Sequence, residues 1–275
     1  MKKDISVLVL GGDRRQRILS ALLSADGYKV TYINNNAENI KDAIKSNDII
    51  FLPLPVSKDR VHIYSDNGDF RFKLKEVLSD LKNTSVVFGG GFSKEAKEYL
   101  EYENISYHDC QMSELFELQN AHFTAQGALK LLLDNTQEFL KDKNALVTGY
   151  GRISSALAVL LSSLRIKVTI AARNEIQLKT AEFMGYEAIN LKELKGLSGY
   201  DYVFNTVPFV IFDEEAVASA DKKCVYFELA SAPFGASKEH FDKYGITYVV
   251  GTGLPGKMLP QSSARLLKEY MEQFI

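Results

Sequence analysis

The sequence predicts two α/β domains, each doubly wound around a largely parallel sheet, with the second built to hold a dinucleotide. Three observations carry this expectation. Short apolar runs alternate with segments of helical spacing twice over along the 275 residues, the pattern of successive βαβ units. A strand–turn–helix–strand series from Asn144 to Asn174 has Gly149-Tyr150-Gly151 at its turn and Arg173 just past its second strand. A long helical pattern, about 120–140, carries Leu129, Leu132, Leu133 and Phe139 and separates the two series.

In the first series, Ile5 to Leu10 is an apolar strand, and Arg14 to Ala25 is helical with Ile18, Leu22 and Leu23 on one face. Val30 to Ile33 is the next strand, closed by a polar Asn34-Asn35-Asn36 turn. A third strand, Ile49 to Leu52, ends at Pro53-Leu54-Pro55. Asp66-Asn67-Gly68 is a turn signal, so 57–70 is expected to form a hairpin or flap. Val86-Val87-Phe88 is a fourth strand running into Gly89-Gly90-Gly91, and Lys94 to Tyr102 is helical.

In the second series, Ala145-Leu146-Val147 is short and wholly apolar, as a buried parallel strand is. Ile153 to Leu164 is an apolar helix, and Val168-Thr169-Ile170 the second strand. Further strands are expected at Val203-Phe204-Asn205, Val225-Tyr226-Phe227 and Thr247-Tyr248-Val249. A last helix, Met258 to Phe274, is expected to return to the first domain. The domains are thus 1–118 with about 258–275, for substrate and catalysis, and 119–257, for the dinucleotide, with the interdomain helix at its start.

Composition fits a globular chain with a sizeable core: 46% of residues are hydrophobic and 25% charged. A formal charge of −2 gives no case for nucleic acid or an anionic membrane surface. The N-terminus lacks the pattern of a leader, and no apolar run reaches a membrane span. Cys110 and Cys224 are isolated, which suits reduced, buried thiols in a cytoplasm. His62, His108, His122 and His240 form no ligand pair, so no metal is expected, and each reads first as a partly buried structural histidine. His122 begins the interdomain helix and stays a catalytic candidate.

The glycine turn carries the chemistry. Glycine at Gly149 and Gly151 permits the tight turn and lets backbone N–H groups approach a pyrophosphate at the helix N-terminus, with Tyr150, Arg152 and Ile153 alongside. Ser154 replaces the third glycine of the G-x-G-x-x-G fingerprint but is small enough for helix–strand packing. Past the second strand an acid would hold a ribose 2′-hydroxyl, whereas an arginine accommodates a 2′-phosphate. Ala172-Arg173-Asn174 places an arginine there, so NADP is expected over NAD. The alternative is a plain βαβ turn with a solvated arginine.

In open α/β sheets ligands bind beyond the carboxyl ends of the strands. Thr206-Val207-Pro208, Ala230-Ser231, and Gly253 with Pro255 end later strands and complete the expected cofactor set; turns without a ligand are the competing reading of each. In the first domain Asp13, Arg14, Arg15, Pro53, Gly90 and Gly91 occupy the corresponding places. Gly11-Gly12 is no dinucleotide fingerprint, so these are expected to bind substrate, an arginine clamping a carboxylate. A charged first helical turn facing water is the alternative.

Taken together these stretches resemble the family of the dipicolinate synthase A-subunit. The resemblance rests on Gly11 to Gln16, the turn with Ala172-Arg173-Asn174, and Asn205-Thr206-Val207-Pro208 followed by Leu229 to Gly235. It also rests on Gly253 to Pro260, and it spans nearly the whole chain. It implies a Rossmann NADP-binding domain and oxidation of dihydrodipicolinate to dipicolinate with NADP accepting the hydride. It further implies a partner, the flavoprotein-like B-subunit of dipicolinate synthase, and a role in sporulation in the mother-cell cytoplasm; a homo-oligomer is also expected. The dianionic substrate suits Arg14 or Arg15. Two departures stand out: Gln126 replaces the acid of the family's Thr-x-Glu-Gly, and Ala232-Pro233-Phe234-Gly235 differs from its Pro-Gly-Gly. If that acid accepts a proton, this chain lacks it, which leaves His122 and Gln126 as catalytic candidates. Two other readings stand beside this one: another two-domain NADP-dependent hydroxy- or amino-acid dehydrogenase, and a non-catalytic NADP-binding subunit.

Overall fold

The computed structural model describes residues 4–36 and 39–275. The chain divides into two compact units, one reaching to Asn120 and resuming at Leu259–Ile275, the other Ala121–Met258.

The first unit runs β1 (Ser6–Leu10), α1 (Arg14–Ala25), β2 (Lys29–Ile33), α2 (Ile40–Ser46), β3 (Ile49–Phe51), α3 (Leu74–Ser79), β4 (Val86–Gly89), α4 (Lys94–Tyr102) and β5 (Ser106–Asp109). Its five strands are parallel in the order β2-β1-β3-β4-β5. β1, β3 and β4 are apolar and buried because helices cover both faces of a parallel sheet. The strand order reverses at β1 and β3, and this is the switch point of the unit.

Residues 57–70 form a flap rather than a hairpin. It is tied down by isolated bridges, Gly12 to Ser65 and His62 to Lys73, and by Asp59, which accepts from the backbone N–H groups of Val61 and His62. β5 escaped the sequence reading, as did the second unit's β8 (Glu187–Asn190). Both are edge strands with polar residues, so neither shows the continuous apolar run of a central strand.

α5 (Glu114–Asp134) begins and ends six residues earlier than the spacing suggests. Ser113 Oγ accepts from Phe116 N at 3.3 Å to start it, and Asn135 Nδ2 donates to the Leu131 carbonyl at 2.8 Å where it stops.

The second unit continues with β6 (Asn144–Thr148), α6 (Arg152–Ser163), β7 (Lys167–Ala172), α7 (Glu175–Phe183), β8, β9 (Tyr202–Asn205), α8 (Glu214–Ala218), β10 (Val225–Glu228), α9 (Lys238–Tyr244), β11 (Thr247–Val250) and α10 (Leu254–Met258). Its six parallel strands are ordered β11-β10-β9-β6-β7-β8, the doubly wound dinucleotide arrangement, with the switch point at β6 and β9. The Leu254–Met258 segment, expected as a glycine turn, is this short last helix.

α11 (Pro260–Met271) starts with a proline in its first turn, where the missing N–H costs nothing, and belongs to the first unit. It packs on α1 and buries Leu266, Leu267, Tyr270 and Met271. Lys268 pairs with Asp26 at 2.6 Å, and Phe274 stacks on His108 with ring centroids 3.9 Å apart. Burial between such rings holds the His108 imidazole below its ordinary pKa.

Candidate functional site

At the carboxyl edge of the second unit, the ends of β6 and β9 are stitched together. Thr206 Oγ1 donates to the Thr148 carbonyl at 2.7 Å, and Thr148 Oγ1 donates to Asn205 Oδ1 at 2.6 Å. Gly149 has φ of +78°, and a Cβ there would come within 3.0 Å of Val207, so glycine is needed for both conformation and space. At Gly151, which caps α6, a Cβ would meet nothing within 4 Å: the backbone faces open space. Ser154 is buried in the first turn of α6. Its hydroxyl accepts from Gly151 N at 2.8 Å, so the serine at the third fingerprint position closes the helix start instead of obstructing it.

That open space is a cavity of about 530 Å³. Nine of the residues named from sequence line it: Gly149, Tyr150, Gly151, Ala172, Arg173, Asn174, Thr206, Val207 and Pro208. Gln177 and Leu191 also line it and were not foreseen. Gln177 faces the cavity because Asn174 caps α7, its Oδ1 accepting from Ile176 N at 2.8 Å and from Gln177 N at 3.3 Å. An Asn directly before a helix was a legible signal for that cap. None of the lining residues is acidic. Arg152 and Ile153 follow in the first turn of α6. Ala230, Ser231, Gly253 and Pro255 lie outside this cavity; Ala230 and Pro255 are buried, Ser231 and Gly253 exposed.

Beneath these turns lies a residue that sequence reasoning missed. Glu228, at the end of β10, is fully buried. Its carboxylate accepts from Asn205 Nδ2 (2.6 Å), Gly235 N (2.8 Å), Ala230 N (3.1 Å) and Tyr226 Oη (3.2 Å). Burial raises its pKa, and those four hydrogen bonds pull the other way without cancelling it. Through Asn205 it fixes the turn after β9, and through Ala230 and Gly235 the loop after β10. An acid at the end of an apolar strand was the visible signal.

The first unit's edge is built differently. Asp13 caps α1, and Gln16 closes a capping box by accepting from Asp13 N at 3.0 Å. Arg15 is only 6% exposed; its guanidinium pairs with Asp13 at 2.7 Å and donates to the Leu54 carbonyl at 2.5 Å, bracing the ends of β1 and β3. This corrects the reading of Arg15 as a free carboxylate clamp: its Nε and Nη2 groups are engaged by Asp13 and Leu54. Burial would raise the Asp13 carboxyl, but the Arg15 hydrogen bonds and charge outweigh it and hold Asp13 below its ordinary range. Arg14, the neighbouring residue, is exposed.

Pro53 and Gly90 are buried, with Gly90 N donating to the Pro53 carbonyl at 3.3 Å. A Cβ at Gly90 would strike Leu54 and Cys110, so this glycine is set by packing. Gly91 N is held by Asp109 Oδ1 at 2.9 Å. Asp109, also missed from sequence, accepts in addition from Gln111 N and pairs with Lys97 at 2.9 Å. Both cysteines are buried, and burial pushes the Cys110 thiol up and Cys224 up to about 12.

His122 and Gln126 lie one turn apart on α5, and both are exposed. Among the described residues no group of three or more His, Cys, Asp or Glu could hold a metal ion, and no helix is long and apolar enough to cross a membrane.

Two doubly wound parallel sheets, the second with a glycine-lined cavity at its switch point, define the class: a dehydrogenase-like α/β fold. D-lactate dehydrogenase from Escherichia coli has the same fold, with a TM-score of 0.70 at 11% identity over 98% of this chain and 96% of that one. The family model for the N-terminal domain of the dipicolinate synthase A-subunit matches residues 6–111. The dipicolinate synthase A-subunit of Bacillus subtilis (strain 168) is 25% identical over 100% of this chain and 97% of its own length. The crystal structure of the dipicolinate synthase A-subunit from Bacillus halodurans superposes with a TM-score of 0.82 at 22% identity, covering 99% of this chain and 98% of that one. The chain is thus similar over its whole length to dipicolinate synthase A-subunits, and its residues 6–111 match that family's N-terminal domain.

Proposed function

We propose that this protein is an NADP-dependent oxidoreductase that forms dipicolinate from dihydrodipicolinate. The observation that carries the cofactor half is Arg173, which lines the same cavity as Gly149 and Gly151 while no acidic residue does. In this reading Gly151 and the first turn of α6 receive the pyrophosphate, Thr206-Val207-Pro208 flank the nicotinamide ribose, and Arg173 meets the 2′-phosphate. NADP, when bound, supplies the hydride acceptor. The chain's own part is to orient the dinucleotide and exclude water.

The substrate half is supported by the whole-length similarity to the Bacillus subtilis protein. The substrate loses a hydride and a proton and becomes an aromatic pyridine dicarboxylate. Arg14 takes the carboxylate-binding role, since Arg15 is committed to Asp13 and Leu54. The first unit, with its returning C-terminal helix, is the substrate domain and the second the cofactor domain. Similarity to the dipicolinate synthase A-subunit also supports a different, flavoprotein-like subunit for a partner, homo-oligomer formation, and a place in sporulation in the mother cell.

One observation favours a second reading. Gln126 is exposed on α5 beside His122 and cannot accept a proton as a carboxylate would, which fits an NADP-binding subunit without turnover of its own. One assay separates the two: purified protein with dihydrodipicolinate and NADP, with and without the partner protein. NADPH together with an ultraviolet-absorbing pyridine dicarboxylate supports the enzyme. Neither product under either condition overturns it in favour of the non-catalytic reading.

A further inference from the structure

Arg173 projects from the end of β7, and Phe209 from the turn after β9, across the glycine turn of β6. The Arg173 Cζ lies 5.9 Å from the centroid of the Phe209 ring, within cation–π range. Arg173 is exposed, and that ring is the one partner the described residues give its guanidinium. Phe209 itself is 59% exposed, a large apolar ring left in solvent next to Pro208, which lines the cavity, so it is not there to fill the core.

Its backbone is nonetheless tightly held. Phe209 N donates to the Val207 carbonyl at 2.8 Å across Pro208, whose ring fixes φ. The same carbonyl accepts from Asn205 Nδ2 at 3.0 Å, and Asn205 is anchored in turn on Glu228 and Thr148. A hydrogen-bonded string rooted in the core therefore ends by presenting one exposed aromatic ring to one exposed arginine.

We propose that Phe209 is a specificity-determining residue, a platform that positions the Arg173 guanidinium for the 2′-phosphate of NADP. The proposal rests on the NADP reading above. A long arginine in water samples many rotamers, and a ring under its planar group removes much of that freedom before the phosphate arrives. The platform has no interaction with a 2′-hydroxyl to offer, so its effect is confined to the phosphorylated cofactor.

The chain has no tryptophan, so binding can be followed through the fluorescence of NADPH and NADH themselves on the full-length protein. Phe209→Leu keeps an apolar side chain and removes the ring. It is expected to weaken NADPH about three- to fivefold while leaving NADH within about twofold. Phe209→Tyr keeps the ring and retains the wild-type ratio of the two dissociation constants. Equal weakening of both cofactors by Phe209→Leu, or a wild-type ratio in that variant, overturns the platform. Arg173→Ala is measured alongside: if it weakens NADPH and NADH equally, the 2′-phosphate reading itself fails. If it acts on NADPH alone while Phe209→Leu does not, only the platform fails.

Discussion

The carboxyl edges of the two sheets obey the same topological rule and reach opposite results. In the second unit Gly151 leaves space empty: a Cβ there would touch nothing, and a cavity opens over it. In the first unit side chains fold over two of the turn glycines and leave Arg14 exposed. The Gln16 side chain covers Gly12, Leu54 and Cys110 cover Gly90, and Arg15 bridges the ends of β1 and β3. A switch point is therefore only an opportunity for a ligand. Whether a site forms depends on which side chains the neighbouring turns fold back over the glycines.

The edges also differ in how each holds an acid, half-buried Asp13 in one and buried Glu228 in the other. Asp13 has a guanidinium beside it, and its pKa is lowered; Glu228 has only neutral donors, and its pKa is raised. This contrast, and that of the glycines, can be broken or sharpened by substitution.

The largest effect is expected at Asp13→Asn. Asparagine still caps a helix, so the change isolates the charge and strands a buried Arg15, costing about 3 kcal/mol in urea unfolding at pH 7. A carboxyl held low in the folded state stabilises above its unfolded pKa and loses that stabilisation as pH falls through the folded value. The gap between wild type and variant must therefore shrink in acid; a gap that does not change with pH would break the assignment.

Next is Arg173→Asp, which replaces a charge-assisted donor with a repelling acid. NADPH affinity should fall about 100-fold, with NADH much less affected. A comparable loss of both in direct titration would remove the 2′-phosphate role.

The glycine contrast is tested by a pair. Gly12→Ala puts a Cβ into the Gln16 side chain at a φ of +88°, and about 2 kcal/mol of stability should be lost. Gly151→Ala meets no neighbour at a permitted φ, so stability should fall by no more than about 1 kcal/mol, the cost of a poorer N-cap. On the proposed NADP reading its methyl group meets the pyrophosphate, and cofactor affinity should drop about tenfold. If instead Gly151→Ala destabilises the fold and spares binding, the cavity is not the dinucleotide site.

The smallest effect is on the slope of stability with pH. A carboxyl whose folded pKa is raised stabilises fully below its unfolded value, about 4.5, and this is lost as pH rises through the folded pKa. Wild-type stability should therefore fall with rising pH in that window, by less than about 1.4 kcal/mol per pH unit. Glu228→Gln should lack this contribution, and equal slopes from pH 5 to 8 would show that Glu228 is not held high.

The central strands were legible because each is a short apolar run, as burial on both faces of a parallel sheet requires. Edge strands β5 and β8 were not, since their side chains are shared with solvent. That Arg173 and the glycine turn line one edge was legible because a fingerprint fixes their spacing, and Thr206 because it ends an apolar strand. Gln177, Leu191, Asp109 and Glu228 were not, because they reach the turns from other elements.

By itself the sequence determined the alternation of strand and helix, the parallel sheets and the turn at Gly149–Gly151. Those depend on local periodicity and on the conformational freedom of particular glycines. Only the tertiary structure decided that Arg15 is a brace, that Ser154 closes α6, that Glu228 underpins two turns, and that Phe209 lies under Arg173. Each is a contact between segments far apart in the chain or a choice among hydrogen-bond partners, and neither is encoded in spacing.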